Sequence, residues 1–138
     1  MSNKPIQITE IDLQRLKKLL GGAQYSGYQG SEYLTKLRTE LERAQIVTSQ
    51  AISQEVVTMN STVVLLDLTS GEEETYTLVY PENADIGKGK ISVLAPIGTA
   101  MLGYEVGDIF EWQVPAGDRR MQVKQILYQP EAAGDYDL

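Results

Sequence analysis

Apolar residues along this chain recur first at a helical and then at a strand rhythm. Thr9, with Asp12 three positions on, reads as a capping box, and Leu13, Leu16, Leu19 and Leu20 follow at helical spacing with Arg15, Lys17 and Lys18 on the other side. Gly21 and Gly22 predict the stop, and residues 21–30, G-G-A-Q-Y-S-G-Y-Q-G, read as a turn or loop. Ser31 suits the cap of a second helix in which Leu34, Leu37, Leu41 and Ala44 keep the rhythm. Each helix carries one narrow apolar stripe and a charged remainder. Two arrangements fit: an antiparallel hairpin whose stripes bury each other, or two core helices of a larger globule. The narrow stripe favours the projecting hairpin. At 1.5 Å per residue such a hairpin reaches roughly 17–20 Å.

Strand patterns take over further along. Ile6–Ile8 predicts a short extended lead-in, and Ile46–Gln54, with its Ser and Gln, reads as a linker. Val56–Met59 and Thr62–Leu68 predict strands. In the second, Val63 and Leu65 share one face and Val64, Leu66 and Leu68 the other, as in a strand covered on both sides. Thr69-Ser70-Gly71 is a turn, Tyr76, Leu78 and Tyr80 alternate in the next strand, and Pro81 to Gly89 is a loop. The uncharged stretch after Ile91 reads as strand, then two helical turns opened by Pro96 and closed by Gly103, then loop. Ile97 and Met101, four apart, are expected to face inward. Phe110, Trp112 and Val114 alternate in a half-buried strand, and residues 115–118 form a tight turn. In the last strand Met121, Val123 and Leu127 share a face, with Ile126 and Tyr128 opposite. Pro130 ends it before an acidic tail, E-A-A-G-D-Y-D-L. The fold class is α+β: a short helical hairpin at 1–47, then at 48–138 a mostly antiparallel sheet with one short helix.

Composition narrows the chemistry. The chain has 138 residues, with no cysteine and no histidine. That excludes disulfides, thiol catalysis, Ser–His activation and phosphohistidine chemistry. The net charge of −7 is uneven, because residues 1–47 sum to +2 and the remainder to −9. An acidic surface disfavours direct nucleic-acid binding. No apolar run is long enough to span a bilayer and no signal-peptide core precedes Thr9, so a cytoplasmic protein without membrane contact is expected. Glu72, Glu73 and Glu74 are consecutive; on a strand they alternate faces and do not converge on a metal. Gly87-Lys88-Gly89-Lys90 lacks the spacing and the following helix of a P-loop. Catalytic residues, cofactor and metal are all expected to be none, and a monomer is the default.

The runs Val56–Val63 (V-V-T-M-N-S-T-V), Thr77–Pro81 (T-L-V-Y-P), Ile91–Gly103 (I-S-V-L-A-P-I-G-T-A-M-L-G), Val106–Asp108 (V-G-D) and Tyr128–Tyr136 (Y-Q-P-E-A-A-G-D-Y) resemble the Gre-factor superfamily, and within it the Rnk branch of regulators of nucleoside diphosphate kinase. The resemblance implies an N-terminal antiparallel coiled coil and an FKBP-like C-terminal domain. It implies that the latter docks on bacterial RNA polymerase at the rim of the secondary channel while the coiled coil points into it. By the same resemblance the polymerase-binding residues are Leu94, Ala95, Pro96 and Ile97. Relatives usually carry an acid or Ser before the Pro-Ile pair, so Leu94 and Ala95 are expected to substitute a more apolar contact.

In transcript-cleavage factors, acidic residues at the tip help hold Mg²⁺. Here the tip, with Gln24, Tyr25, Ser26, Gly27 and Tyr28, has no Asp or Glu between residues 21 and 30. Mg²⁺ needs carboxylates, and the hairpin is short. The expected function is therefore a non-enzymatic regulator that competes with Gre factors without stimulating cleavage; the alternative is an active Gre-type cleavage factor. Nucleoside diphosphate kinases work through a phosphorylated histidine, so any effect on that enzyme is indirect. A prolyl isomerase would need an aromatic-lined pocket, and the strand pattern assigns Phe110 and Trp112 to the core.

Overall fold

The computed structural model describes residues 6–20, 32–114 and 117–134, with the side chains of 32–36, 96, 112–114 and 118 outside that description. The chain opens with β1 (Gln7–Thr9), passes directly into α1 (Glu10–Leu20), and resumes with α2 (Glu32–Arg43) and β2 (Gln45–Val47). The Thr9 hydroxyl accepts the Asp12 N–H at 3.1 Å, so one half of the capping box forms. At the far end of α1 the Arg38 guanidinium reaches the Leu20 carbonyl at 3.2 Å, satisfying an acceptor that the helix leaves open. β1 and β2 pair in parallel, with Ile8 opposite Ile46. The stretch read as a linker therefore begins as a strand. Only three residues pair, and Ile46 stays 52% exposed, so no buried alternation marked them.

Five further strands form the main sheet, in the order β5-β4-β3-β7-β6. They are β3 (Thr62–Asp67), β4 (Glu73–Val79), β5 (Lys90–Ser92), β6 (Ile109–Val114) and β7 (Gly117–Tyr128). Neighbours run antiparallel except β4 and β5, which are parallel. β3 is central, which is why both its faces are largely apolar. The β3–β4 turn is fixed by Asp67, whose Oδ1 accepts the N–H groups of Thr69 and Ser70 at 2.8 and 3.1 Å. Among the described residues two short α-helices follow, α3 (Pro96–Met101), between β5 and β6, and α4 (Pro130–Ala133) after β7, and two 3-10 turns, Pro81–Asn83 and Ile86–Lys88, lie between β4 and β5.

Three expectations are corrected. Val56–Met59 is not a strand. Val56 makes one isolated bridge to Glu105, and the chain then turns at residues 58–61 with Asn60 at φ 68°. Its apolar side chains are buried all the same, so burial without a ladder produced the strand-like pattern. Leu127 does not share a face with Met121 and Val123. The β3–β7 register slips twice, pairing Leu65 with Val123 but Val64 with Gln125, and Val63 with Ile126 but Thr62 with Tyr128. Each extra residue inverts the side-chain parity. Ile126 therefore lies against the core and Leu127 is 54% exposed. The tail expected after Pro130 begins instead as α4, closed by Gly134 at φ 80°.

One apolar core runs through the molecule. Leu13 and Leu16 of α1 and Leu37 and Leu41 of α2 belong to the same buried cluster as Met59, Val63, Leu65, Leu78, Ile97, Met101 and Phe110. The part of each helical stripe nearest the sheet is thus core, while Leu19 and Leu20 are only partly buried. Among the described residues no helix is long and apolar enough to cross a membrane.

Candidate functional site

The corner before α3 is set by a short run of hydrogen bonds. Val93 N–H donates to the Val79 carbonyl at 2.9 Å, which ties the end of β5 to β4. Ser92 then closes a turn: its Oγ accepts the Leu94 N–H at 3.0 Å and its carbonyl accepts the Ala95 N–H at 3.0 Å. Ala95 is the extended residue that precedes α3, and Pro96 takes the first helical position, where a missing N–H costs nothing. The Ala95 carbonyl accepts both the Thr99 N–H and the Thr99 hydroxyl at 2.9 Å. α3 itself lies very close to β5, since a Cβ on Gly98 would sit 2.2 Å from the Ser92 carbonyl oxygen.

The expected contact residues do not all point the same way. Leu94 and Ile97 are buried, at 5% and 2% exposure, and belong to the core. Met101 is fully buried beside them. Leu94 therefore packs its side chain inward beneath the corner. Ala95 is half-buried and remains at the surface edge of the corner. The side chain of Pro96 and the whole tip segment, with Gln24, Tyr25, Ser26, Gly27 and Tyr28, fall outside the described residues. So does the side chain of Trp112.

A second constellation was not anticipated. Asp12, on α1, is 3% exposed, and its Oδ2 accepts the Met59 N–H at 3.1 Å. One residue earlier, the Thr58 hydroxyl donates to Glu131 of α4 at 2.7 Å and lies 2.9 Å from the Ser61 hydroxyl. Gln129 is 3% exposed and donates through Nε2 to the Ser53 and Val56 carbonyls at 2.8 and 2.7 Å. Burial pushes the Asp12 carboxyl up to about 6, and the nearby Glu131 adds to the rise, against the Met59 N–H and Arg15. Tyr80 is buried in the same pocket, where burial and the Asp12 charge push its phenol up. The signal available beforehand was a polar pair, Gln129 and Glu131, flanking a proline. Its partners are more than 70 residues away in sequence.

The acidic turn is occupied by ordinary pairing. Glu73 pairs with Lys124, and Arg119 bridges Asp67 at 2.7 Å and Glu74 at 3.3 Å. Arg119 holds the Asp67 carboxyl below its usual range, helped by the Ser70 and Thr69 amides. Among the described residues no three acidic side chains gather as metal ligands. Phe110 is buried and meets Tyr104 edge-to-face at 5.8 Å, as a core aromatic does.

Comparison with known proteins adds the lineage. Residues 4–47 match the family model of the Rnk N-terminus, and residues 52–128 match that of the GreA/GreB transcription elongation factor C-terminal region. The chain is 40% identical over 137 residues to the "Regulator of nucleoside diphosphate kinase" of Escherichia coli (strain K12), covering 99% of this chain and 98% of that one. It is 41% identical over 90 residues to "Transcription elongation factor GreA" of Desulfotalea psychrophila, covering 65% of this chain and 56% of that one. A solved structure, "Prokaryotic transcription elongation factor GreA/GreB from Nitrosomonas europaea", superposes with a TM-score of 0.75 at 40% identity, over 89% of this chain and 99% of the other. With an N-terminal part of one kind, a C-terminal part of the other and full-length similarity besides, this chain belongs to the Rnk family of GreA/GreB-related proteins.

Proposed function

We propose that the protein is a non-enzymatic regulator that binds bacterial RNA polymerase at the rim of the secondary channel and competes there with Gre factors. The observation that carries this reading is the match of residues 52–128 to the GreA/GreB C-terminal region. That stretch contains the Ser92–Met101 corner, and its geometry leaves Ala95 half-buried at the surface edge over a buried base. In this proposal residues 48–138 are the FKBP-like docking part and residues 1–47 a short coiled-coil hairpin directed toward the channel. Contact at the corner would run through the main chain around Ala95 and Pro96, because Leu94 and Ile97 are committed to the core. Cleavage is not stimulated, because residues 21–30 offer no carboxylate for Mg²⁺. Any influence on nucleoside diphosphate kinase is indirect, exerted through transcription. A cytoplasmic monomer is the form that fits such a role.

Purified protein should co-elute with core polymerase and displace a bound Gre factor, while adding no shortened RNA to a stalled elongation complex. Ala95→Arg should weaken binding at least about tenfold without lowering the melting temperature, since a bulky charge at a packed contact costs upward of about 1.4 kcal/mol. Failure to bind at micromolar concentration would sink the proposal. Shortened RNA would replace it with the active cleavage factor.

A further inference from the structure

We infer that the C-terminal segment Gln129–Gly134 is a clasp that fixes the N-terminal helix α1 against the sheet, acting through the buried turn at residues 58–61. This inference is independent of which partner the protein binds.

The geometry is a relay between the two ends of the chain. Two neighbouring residues of one turn are gripped by two carboxylates from opposite ends of the sequence. Glu131 accepts the Thr58 hydroxyl at 2.7 Å, and Asp12 accepts the Met59 N–H at 3.1 Å. The turn between them is not held by a sheet ladder. Its form depends on Ser61, whose Oγ accepts the Thr58 N–H at 3.0 Å, on the Asn60 N–H donated to the Leu78 carbonyl at 2.6 Å, and on Asn60 in the left-handed region. The approach to the turn, Ser53 to Val56, is held by Gln129, which donates to two main-chain carbonyls from a buried position. Gln129 and Glu131 stand two apart on either side of Pro130, which opens α4 and fixes its direction. Gly134, left-handed at φ 80°, closes the helix after one turn.

The clasp residues also sit outside the shared module. The GreA/GreB match ends at residue 128, just before Gln129, and Asp12 falls within the Rnk N-terminal match. Both grips on the turn therefore come from parts of the chain that the common docking module does not include. Glu131 and Asp12 also lie near enough to repel. Their charges are kept close only because each is satisfied by a different group of the same turn. Releasing Thr58 from Glu131 leaves the half-buried Glu131 carboxylate near the buried Asp12 with one donor fewer, and α1, which carries Asp12, is the element expected to loosen.

The test is amide hydrogen exchange on the full chain, comparing α1 with β3 and β7. Thr58→Val removes the hydroxyl with little change of shape and leaves the Met59 N–H in place. It should speed exchange in α1 about tenfold or more, with β3 and β7 unchanged, because a lost hydrogen bond to a charged group opens the element it anchors. Thr58→Ser keeps the donor and should return α1 to within about twofold of wild type. Gln129→Ala removes the other grip without touching a charge and should show the same pattern; it decides the matter should Thr58→Val fail to fold. Unchanged α1 exchange would overturn the inference, and so would an equal rise in α1, β3 and β7, which marks general destabilisation. A Thr58→Ser variant as loose as Thr58→Val would also overturn it.

Discussion

Asp12 is where a single side chain says most about this molecule. Its position on α1 lets it accept the Met59 N–H, and that same position removes it from water. Burial outweighs the hydrogen bond, so its carboxyl titrates at about 6 instead of 3.8. A folded-state pKa above the unfolded one means that the fold binds the proton more tightly. The associated stability is complete below about pH 4 and is lost as pH rises through about 6. A shift of roughly two pH units corresponds to about 3 kcal/mol. Asp67 works in the opposite sense: Arg119 depresses its pKa, so its contribution is present above pH 3.8 and is lost in stronger acid. The pH ranges over which the two contributions are lost do not overlap, one lying above and the other below about pH 3.8. Asp12→Asn keeps an acceptor for Met59 and has no charge to desolvate. Urea unfolding at pH 7.5 should find it more stable than wild type by about 1–3 kcal/mol, with the difference vanishing near pH 4. Equal destabilisation at both pH values would contradict this account of the site.

At the scale of elements, α3 shows how closely backbone approach is specified. Gly98 has no Cβ, and one built there would lie 2.2 Å from the Ser92 carbonyl oxygen and 3.1 Å from its carbon. Both atoms are main chain, so neither can rotate away. Gly98→Ala must push α3 off β5 and should cost about 2–3 kcal/mol in chemical denaturation; a neutral result would mean that the helix floats. α3 was legible beforehand because its signals are local. Pro96 can only begin a helix, Gly103 suits a left-handed stop, and Ile97 and Met101 share a face. What was not legible depended on distant partners. β2 escaped notice because Ile46 is exposed and three parallel pairs leave no periodic trace. Leu127 was misplaced because two bulges in β7 exist only relative to β3. The burial of Leu94 is set by the core beneath the corner, which no local signal shows. The Thr9–Asp12 pair was seen as a cap, but nothing local announces that Asp12 turns away to Met59.

At the scale of the whole molecule, function and folding divide the chain differently. The family matches cut it near residues 47 and 52, and the proposed roles follow that cut. The core does not. Ile6, Ile8, Leu13, Leu16, Leu37 and Leu41 are each no more than 6% exposed. Five of the six, all but Ile6, join the cluster that contains Met59, Leu78 and Met101 from the other side of the cut. Burying each contributes about 1.5–3 kcal/mol. Part of that sum is between the helices themselves, but even a third of it is a large share of the 5–15 kcal/mol, roughly, that holds a domain folded. Deleting residues 1–47 also strips Asp12 from the Met59 amide. Residues 48–138 alone should therefore melt at least about 15 °C below the full chain, or fail to fold, as followed by circular dichroism. A fragment that melts with the full chain would show that the sheet's core closes by itself. If the lower melting point is found, loss of the proposed polymerase binding on removing residues 1–47 reports damage to the proposed docking part and not a missing insertion. Separating the proposed docking from the proposed insertion then requires point changes in the full chain: Ala95→Arg at the corner, and substitutions among residues 24–28.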